Sequence, residues 1–359
     1  MDLGTGWRGG QRQILWMGEG LARRGGRPIF ALRPGAELAV RARASGIEVV
    51  NIDPTISELG PWTVGRLRRL IARERVDILH PQSGHTIALA ALAAAGTRAR
   101  VVFARRTTFP LRTNVGTRLK YSRADRIISV SRAGVDALVA SGMDAAMIDV
   151  IPSGIPLDDL ANPASRELLA SFGVPEGAPL VVMVGALTDV KDPIAFVRAV
   201  AVAKRRVPAL QALLVGEGHL RVPVEAEVRA LELDDSFHLT GFRDDHASFI
   251  AAGDVAALSS KLEGTPGVLL DAMAHGRPIA ATAAGGVPEI VEHGVSGLLT
   301  PVGDPDLLGA SIARIVLDPA LAARMSAAAK ERARDFSIDV TVERTIAVYE
   351  RTLAAARRA

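Results

Sequence analysis

The sequence predicts an α/β fold built from two doubly wound domains with parallel sheets. Short, strongly apolar runs alternate with helical patterns along the 359 residues, and the alternation stops and restarts once near the middle. Apolar residues make up 48% of the chain and aromatic residues only 4%, so the core consists mainly of Ala, Val, Leu and Ile. Strands this apolar, separated by helices, are typical of parallel sheets that helices cover on both faces.

Twelve candidate strands follow one another in two sets of six. The first set lies at 27–33, 47–52, 76–80, 100–105, 126–131 and 149–154, and the second at 179–186, 210–218, 237–242, 255–260, 278–285 and 297–302. Between the sets, residues 155–179 are rich in Pro, Gly and polar residues, which is typical of a domain junction. We therefore place the domains at 1–160 and 161–338, and we expect a C-terminal helix at 339–359 to pack on the first domain.

A glycine loop at residues 4–10 precedes the first helical pattern. Such a loop normally follows a strand, because it connects a strand to a helix in doubly wound folds. Only residues 1–3 are available for that strand. We therefore expect the first strand of the N-terminal domain to be truncated in this sequence.

The composition narrows the kinds of site that the chain can contain. The absence of cysteine excludes disulfides and thiolate metal ligands, and the longest apolar run, at 87–96, is shorter than the roughly 18 residues that span a bilayer.

Residues 1–160 contain 23 basic and 14 acidic side chains, against 20 and 25 in the remainder. This basic half predicts an anionic partner, unless it is a solvated arginine-rich surface. We expect no nucleic acid, because aromatic residues do not interleave with the basic ones.

One short stretch combines two acids with a helix start. In KLEGTPGVLLDAMAHG, at 261–276, Glu263 and Asp271 flank a segment at 264–267 that predicts the first turn of a helix. The unpaired amides of a helix start bind anions, so a diphosphate fits there, with the acids accepting hydrogen bonds from hydroxyls on either side. A nucleotide-sugar has this layout of ribose, diphosphate and hexose. The spacing alone fits equally simple roles, with Glu263 as a helix cap and Asp271 as a surface charge.

The motif EGTPGVLLDAMAHGRPIAAT resembles the E-x7-E motif of family 4 glycosyltransferases, which have the GT-B fold of two Rossmann-like domains facing a central cleft. Five further stretches resemble family landmarks in the same order: WRGGQRQ at 7–13, VGALTDVKDP at 184–193, LLVGEGHLR at 213–221, HLTGFRDD at 238–245 and PEIVEHGVSGLLTPVGD at 288–304. The resemblance implies an acceptor-side domain at 1–160 and a nucleotide-sugar-binding domain at 161–338.

The resemblance implies distinct roles for the residues of the second domain. Glu263 would contact the donor hexose and Asp271 the nucleotide ribose, with Asp standing where the family usually has Glu. Lys191 matches the diphosphate lysine, whereas Ala186 stands where the family usually has Arg. The complete set of expected donor-binding residues is Gly9, Gly10, Lys191, Gly241, Phe242, Glu263, Gly264, Thr265, Pro266, Gly267, Val268 and Asp271.

In the first domain, the sequence near the expected position of the donor sugar differs from the family pattern. The family often has a histidine after the fourth strand, where this chain reads Ala104-Arg105-Arg106. An arginine there can bind a phosphate of donor or acceptor. The expected catalytic residues are therefore Glu263, Lys191 and Arg106, and further candidates for the cleft are His80, His85 and Arg105, although a structural histidine is at least as good an interpretation of each His.

A protein-bound metal is not expected, and neither is any other cofactor. Residues 304–306 read Asp-Pro-Asp and resemble a D-x-D metal motif, but Asp before Pro is typical of a helix cap with Pro in the first turn.

The resemblance implies transfer of a hexose from a nucleotide-diphosphate sugar to an acceptor hydroxyl, with retained anomeric configuration. The acceptor would be a sugar or lipid-linked molecule in glycan, lipopolysaccharide or glycolipid synthesis for the cell envelope. The expected location is cytoplasmic, with peripheral contact at the inner face of an anionic membrane. Two alternatives stay open: a nucleotide-sugar 2-epimerase of the same fold, and a non-catalytic nucleotide-sugar-binding protein, which Ala186 and the shortened start favour.

Overall fold

A computed structural model describes residues 1–52, 60–109, 111, 120–121 and 123–358 of the chain. These residues form two compact units. The first unit combines Met1–Ile155 with Ser337–Ala359, and the second is the continuous segment Pro156–Phe336. Within the described residues, no helix is both long enough and apolar enough to cross a membrane.

The first unit contains parallel strands in two groups, one of two strands and one of four. The strands are β1 Ile29–Leu32, β2 Glu48–Asn51, β3 Ile78–Leu79, β4 Arg100–Arg105, β5 Arg126–Ser129 and β6 Ile148–Val150. Residues 1–3 lie between β1 and β3, since Asp2 N donates to Ala31 O at 3.3 Å and Gln82 N donates to Met1 O at 2.9 Å. They therefore occupy the place of the strand that the glycine loop requires, and its truncation stays a prediction.

Helices cover both groups of strands in the first unit. They are α1 Gly9–Arg23, α2 Glu37–Ala44, α3 Pro61–Glu74, α4 Gly84–Ala94, α5 Arg132–Ala140 and the C-terminal helix, which is Ile338–Arg358. The C-terminal helix packs on α1, where Met17, Ile338 and Val342 share one buried cluster. A Cβ atom on Gly20 of α1 would lie 2.5 Å from the Val342 side chain, so the two helices approach closely at this glycine.

The second unit is a single six-stranded parallel sheet with the order β12-β11-β10-β7-β8-β9. Its strands are β7 Leu180–Val184, β8 Gln211–Val215, β9 Phe237–Gly241, β10 Val255–Leu258, β11 Ile279–Thr282 and β12 Gly297–Thr300. The strand order reverses between β7 and β10, as in a Rossmann fold. Ligands of such sheets bind beyond the carboxyl ends of the strands at this switch point. The twelve observed strands correspond to the twelve predicted ones, and the two-domain α/β prediction is confirmed.

The helices of the second unit cover both faces of this sheet, which is why its strands are buried almost throughout. They are α6 Arg166–Ser171, α7 Pro193–Lys204, α8 Arg221–Ala230, α9 His246–Ala252, α10 Gly267–Ala274, α11 Val287–Ile290, α12 Pro305–Leu317 and α13 Pro319–Ala333. The C-terminal helix Ile338–Arg358, which belongs to the first unit, is called α14. Asp304 caps α12 by accepting a hydrogen bond from Leu307 N at 2.9 Å, so the Asp-Pro-Asp motif lies at a helix start, as predicted.

Candidate active site

Lys191 and Glu263 meet at the switch point of the second unit. Lys191 follows β7 and Glu263 follows β10, and these strands are neighbours although the residues are 72 positions apart. Lys191 Nζ lies 2.5 Å from Glu263 Oε1. The Glu263 side chain is 8% exposed and that of Lys191 26%, so the ion pair is largely shielded from water. The strand order thus places a cation and an acid together where a ligand of this fold would bind.

Two consecutive serines at the end of β10 fix both members of this pair. Ser260, which is fully buried, donates a hydrogen bond from Oγ to Glu263 Oε1 at 2.6 Å. Ser259 donates to the backbone carbonyl of Lys191 at 3.0 Å. The backbone of Ser260 is itself tied to β11, because Thr282 Oγ1 donates to its carbonyl at 2.6 Å. Our sequence analysis missed both serines, and the only signal was a polar pair that ends a strongly apolar strand.

The backbone of Glu263 contacts the loop after β11 without any space for a side chain. Gly286 N donates to Glu263 O at 3.0 Å. Gly285 has φ +52°, and a Cβ atom there would stand 2.1 Å from the same carbonyl oxygen. Glycine is therefore required at 285 for two reasons, its backbone conformation and its contact. Beyond Glu263, residues Gly264 and Thr265 lead directly to the start of α10.

Glycines also allow the loops after β7 and β8 to touch. Gly216 has φ +151°, and a Cβ atom on it would lie 1.9 Å from Gly185 O. Leu187 N donates to Glu217 O at 3.0 Å, which joins the two loops. The turn after β8, a weak motif by itself, thus supports the loop that leads to Lys191.

Helix α10 begins without a side-chain hydrogen bond from its cap residue, Pro266, and has no acidic side chain in its first turn. Pro266 is the residue before the helix, and Leu269 N donates to its carbonyl at 3.0 Å. The amides of Gly267 and Val268 precede that bond and have no carbonyl four residues earlier within the helix. This end of the helix therefore suits an anion, as predicted from the sequence.

Asp271 lies one turn into α10 and is buried, with only 8% of its surface exposed. Its Oδ2 atom stands 3.7 Å from Nε2 of His246, the first residue of α9. Glu263 is also 8% exposed and does not cap the helix, since Pro266 occupies the cap position. The alternative of a helix cap and a surface charge is therefore wrong for both acids. His246 is a neighbour that the sequence analysis did not single out.

The turn after β9 presents an aromatic side chain to solvent. Gly241 has φ +73°, and its carbonyl accepts a hydrogen bond from Gly216 N at 2.9 Å. Phe242 is 63% exposed, so its ring is not part of the core although it follows directly after a strand. An exposed ring two strands away from the switch point is available to a flat apolar group, although its contact with a base stays a prediction.

In the first unit, His80 and Arg106 line one small cavity beside the C-terminal helix. Arg106 donates to Gln82 Oε1 from Nε at 3.1 Å and from Nη2 at 2.8 Å, and burial lowers the pKa of its guanidinium to about 10. His80 Nδ1 lies 2.5 Å from the Tyr349 hydroxyl, and burial lowers the pKa of His80 well below its usual value. Both side chains thus have partners within the first unit, and these contacts favour a structural role for each of them.

The remaining candidates of the first unit are scattered. Arg105 donates to Phe109 O and, at 3.4 Å, to the Tyr121 hydroxyl. Gly9 and Gly10 begin α1, and no described atom lies within 4 Å of where their Cβ atoms would stand. His85 is the second residue of α4, and its side chain is outside the described part of the structure.

Solved structures define the class of fold. The Anabaena protein HepE in complex with UDP superposes with a TM-score of 0.84 at 22% identity, over 99% of this chain and 98% of HepE. Sucrose-phosphate synthase from Thermosynechococcus elongatus superposes with a TM-score of 0.79 at 21% identity, over 99% and 96%. These superpositions show that the two parallel doubly wound units have the GT-B fold, so the prediction of that fold is confirmed.

Sequence comparisons then give the family. The model described as Glycosyltransferase Family 4 matches residues 7–159, and the model described as Glycosyl transferases group 1 matches residues 165–332. A D-inositol 3-phosphate glycosyltransferase of Saccharomonospora viridis is 31% identical over 319 residues, which are 82% of this chain and 70% of that protein. One from Mycobacterium avium is 32% identical over 253 residues, 68% and 58% of the two chains. The chain belongs to glycosyltransferase family 4, and the predicted enzyme class is confirmed.

Proposed function

We propose that this glycosyltransferase transfers a hexose from a nucleoside diphosphate sugar to an acceptor hydroxyl and retains the anomeric configuration. The observation that carries the proposal is the Lys191–Glu263 pair, which precedes the start of α10, a helix whose cap residue makes no side-chain hydrogen bond. A cation and free helix amides suit the diphosphate, which is the leaving group of this reaction. A buried carboxylate beside them suits a sugar whose ring becomes positively charged in the transition state.

The roles follow from these positions. Lys191 and the amides of Gly267 and Val268 bind the diphosphate, and Asp271 accepts a hydrogen bond from the ribose. In the structure, Lys191 is paired with Glu263, so an arriving diphosphate competes for the lysine. The carboxylate of Glu263 then accepts a hydrogen bond from a hexose hydroxyl, while Ser260 keeps it in place. Attack by the acceptor on the face that the diphosphate leaves needs no nucleophile from the protein.

UDP-hexose is the donor class we propose first. The HepE structures contain UDP, UDP and glucose, or UDP-glucose, which supports this choice by analogy of fold only. The names of the curated relatives support a phosphorylated polyol as acceptor, and a lipid-linked sugar is the other class to test. Activity without an added metal ion and a cytoplasmic location are further parts of the proposal.

A donor panel with product analysis tests the proposed function. Purified protein is incubated with UDP-, GDP- and ADP-hexoses, with inositol phosphate or a lipid-linked sugar, and with or without EDTA, and products are resolved by NMR. A new glycoside with the anomeric configuration of the donor is the expected result. An isomerised donor without acceptor would mean a 2-epimerase, and binding without any product would mean a non-catalytic protein.

Asp271→Ala is expected to weaken the binding of UDP by about 10- to 150-fold. This factor corresponds to roughly 1.5–3 kcal/mol for a lost hydrogen bond to a charged group. Isothermal calorimetry with UDP and with inorganic diphosphate measures the effect, and diphosphate affinity should change little. Asp235→Ala removes an exposed acid of the same unit and is the control. If the variant lost equal affinity for UDP and for diphosphate, Asp271 would not bind the ribose.

Ser260→Ala is expected to lower turnover about tenfold, because the Glu263 carboxylate then loses the hydrogen bond from Ser260 Oγ that helps to fix its position. UDP affinity should stay within about threefold, since Ser260 has no part in nucleotide binding. Steady-state kinetics and calorimetry measure both quantities, with Ser171→Ala as an exposed hydroxyl deletion in the same unit. Unchanged turnover would show that the hydrogen bond to Glu263 has no function in catalysis.

A further inference from the structure

His246, the first residue of α9, lies beside the acid to which the proposed function assigns the ribose. Its Nε2 atom stands 3.7 Å from Asp271 Oδ2, and the two side chains are 16% and 12% exposed. Helices α9 and α10 each follow a strand of the parallel sheet, so both begin at its carboxyl edge, where ligands of such folds bind. The proposed function gives His246 no role, although this is the place where it expects the nucleoside.

The first turn of α9 is anchored around His246. Asp245 accepts two hydrogen bonds from Arg243, one from Nε at 2.8 Å and one from Nη2 at 2.7 Å. The Arg243 guanidinium also lies 5.4 Å from the ring centroid of Phe249, a fully buried residue of the same helix. Together with the low exposure of the imidazole, these contacts hold His246 in place, so little side-chain entropy is lost when a ligand binds to it.

The distance between the imidazole and the carboxylate suits a bridging hydroxyl group. At 3.7 Å the two groups are too far apart for a direct hydrogen bond. One hydroxyl oxygen can nevertheless lie about 2.8 Å from both atoms. With its proton on Nε2, His246 donates to that oxygen, and the hydroxyl in turn donates to Asp271. The pair thus offers one donor and one acceptor, with which a hydroxyl forms two hydrogen bonds and a C–H group forms none.

We propose that His246 is a second nucleoside-binding residue, which together with Asp271 selects a ribose over a 2′-deoxyribose. The inference rests on the proposed function, which assigns the ribose to Asp271. The 2′-hydroxyl bridges Nε2 of His246 and Oδ2 of Asp271, while the 3′-hydroxyl donates to the other carboxylate oxygen. A 2′-deoxyribose leaves both largely buried groups without this partner, which costs much of the affinity. The donors are then ribonucleotide sugars, and thymidine diphosphate sugars, whose pentose lacks the 2′-hydroxyl, are excluded.

Isothermal calorimetry with UDP and 2′-deoxy-UDP tests the proposal. The unaltered protein should bind UDP about 30- to 300-fold more tightly, because the deoxy analogue loses one hydrogen bond to a charged group and one to a neutral group. His246→Phe keeps a ring but removes the donor, and it should lower this preference about tenfold. His246→Gln places an amide donor at a similar distance from the backbone and should keep most of the preference. A merely structural role of His246 would instead weaken both nucleotides equally in His246→Phe.

The matched control is His293→Phe, which removes an exposed imidazole of the same unit and should keep the preference of the unaltered protein. Thermal melting shows that each variant is folded. If the donor panel selects guanine or adenine, GDP or ADP and its 2′-deoxy form take the place of the uridine pair. Equal affinity of the unaltered protein for the two nucleotides, an undiminished preference in His246→Phe, or an equal loss in the control would overturn the proposal.

The failure of this inference is distinguishable from failure of the proposed function. If the protein transfers a hexose in the donor panel while His246→Phe retains the full preference for ribose, the proposed function stands and His246 does not select the pentose. If the protein binds none of the nucleoside diphosphates, both the proposed function and the role of His246 are wrong.

Discussion

Glu263→Gln is expected to lower turnover by about a hundred- to a thousandfold while UDP affinity changes by less than about threefold. The amide keeps the volume of the side chain and can still contact Ser260, but it removes the charge that faces the sugar. Binding of UDP itself should hardly suffer, because Lys191 is then released from its ion pair and is available to the diphosphate. Steady-state kinetics with donor and calorimetry with UDP measure the two quantities.

The control for this variant is Glu292→Gln, which neutralises an exposed acid of the same unit. It should leave turnover unchanged within about twofold, the usual range for a surface substitution away from any site. If Glu263→Gln weakened UDP binding by as large a factor as it lowered turnover, Glu263 would act on the nucleotide. The assignment of the hexose to Glu263 and of the ribose to Asp271 would then be wrong.

Gly285→Ala is expected to destabilise the second unit by about 3 kcal/mol and to lower its melting temperature by roughly 6–12 °C. Two causes add. The residue has φ +52°, which costs about 1–2 kcal/mol for a residue with a Cβ atom. In addition, that atom would lie 2.1 Å from the carbonyl oxygen of Glu263, so the loop that carries the acid must move. Turnover should therefore fall together with stability.

Gly294→Ala separates the two causes. Gly294 has φ +80°, and no described atom lies within 4 Å of where its Cβ atom would stand. This substitution should cost only the conformational part, about 1–2 kcal/mol, and should leave turnover of the folded protein unchanged. Differential scanning calorimetry of both variants measures the difference. If the two variants lost the same stability, the close contact between residue 285 and the Glu263 carbonyl would contribute nothing to the effect of Gly285→Ala.

The sequence was sufficient to predict the strands and the helix start because both depend on local patterns. Each strand of the second unit is a short apolar run, and residues 264–267 combine Gly and Pro in a way that a first helical turn favours. The direct contact between Lys191 and Glu263 could not be predicted, because it depends on β7 and β10 being neighbours. That order is a property of the whole sheet and leaves no trace near either residue.

The residues that support the site were missed for a related reason. Ser260 and Gly285 act through single contacts with Glu263, one by a hydrogen bond and one by the absence of a side chain. Neither contact produces a periodic pattern. Arg106 was expected near the donor sugar, and the structure gives it Gln82 as a partner inside the first unit. Its role in catalysis stays a prediction.

The discontinuity of the first unit bears on the order in which the chain matures during synthesis. Ile155 and Ser337 form a parallel bridge, so the chain leaves and re-enters the first unit at adjacent points. Helix α14 supplies Val348, which packs with Val102, Ile128 and Ile151. A ribosome reaches this helix only after it has made all of the intervening segment, which takes on the order of ten seconds or longer. During that interval the second unit can fold to completion, while the apolar surface that awaits α14 is exposed and open to chaperones.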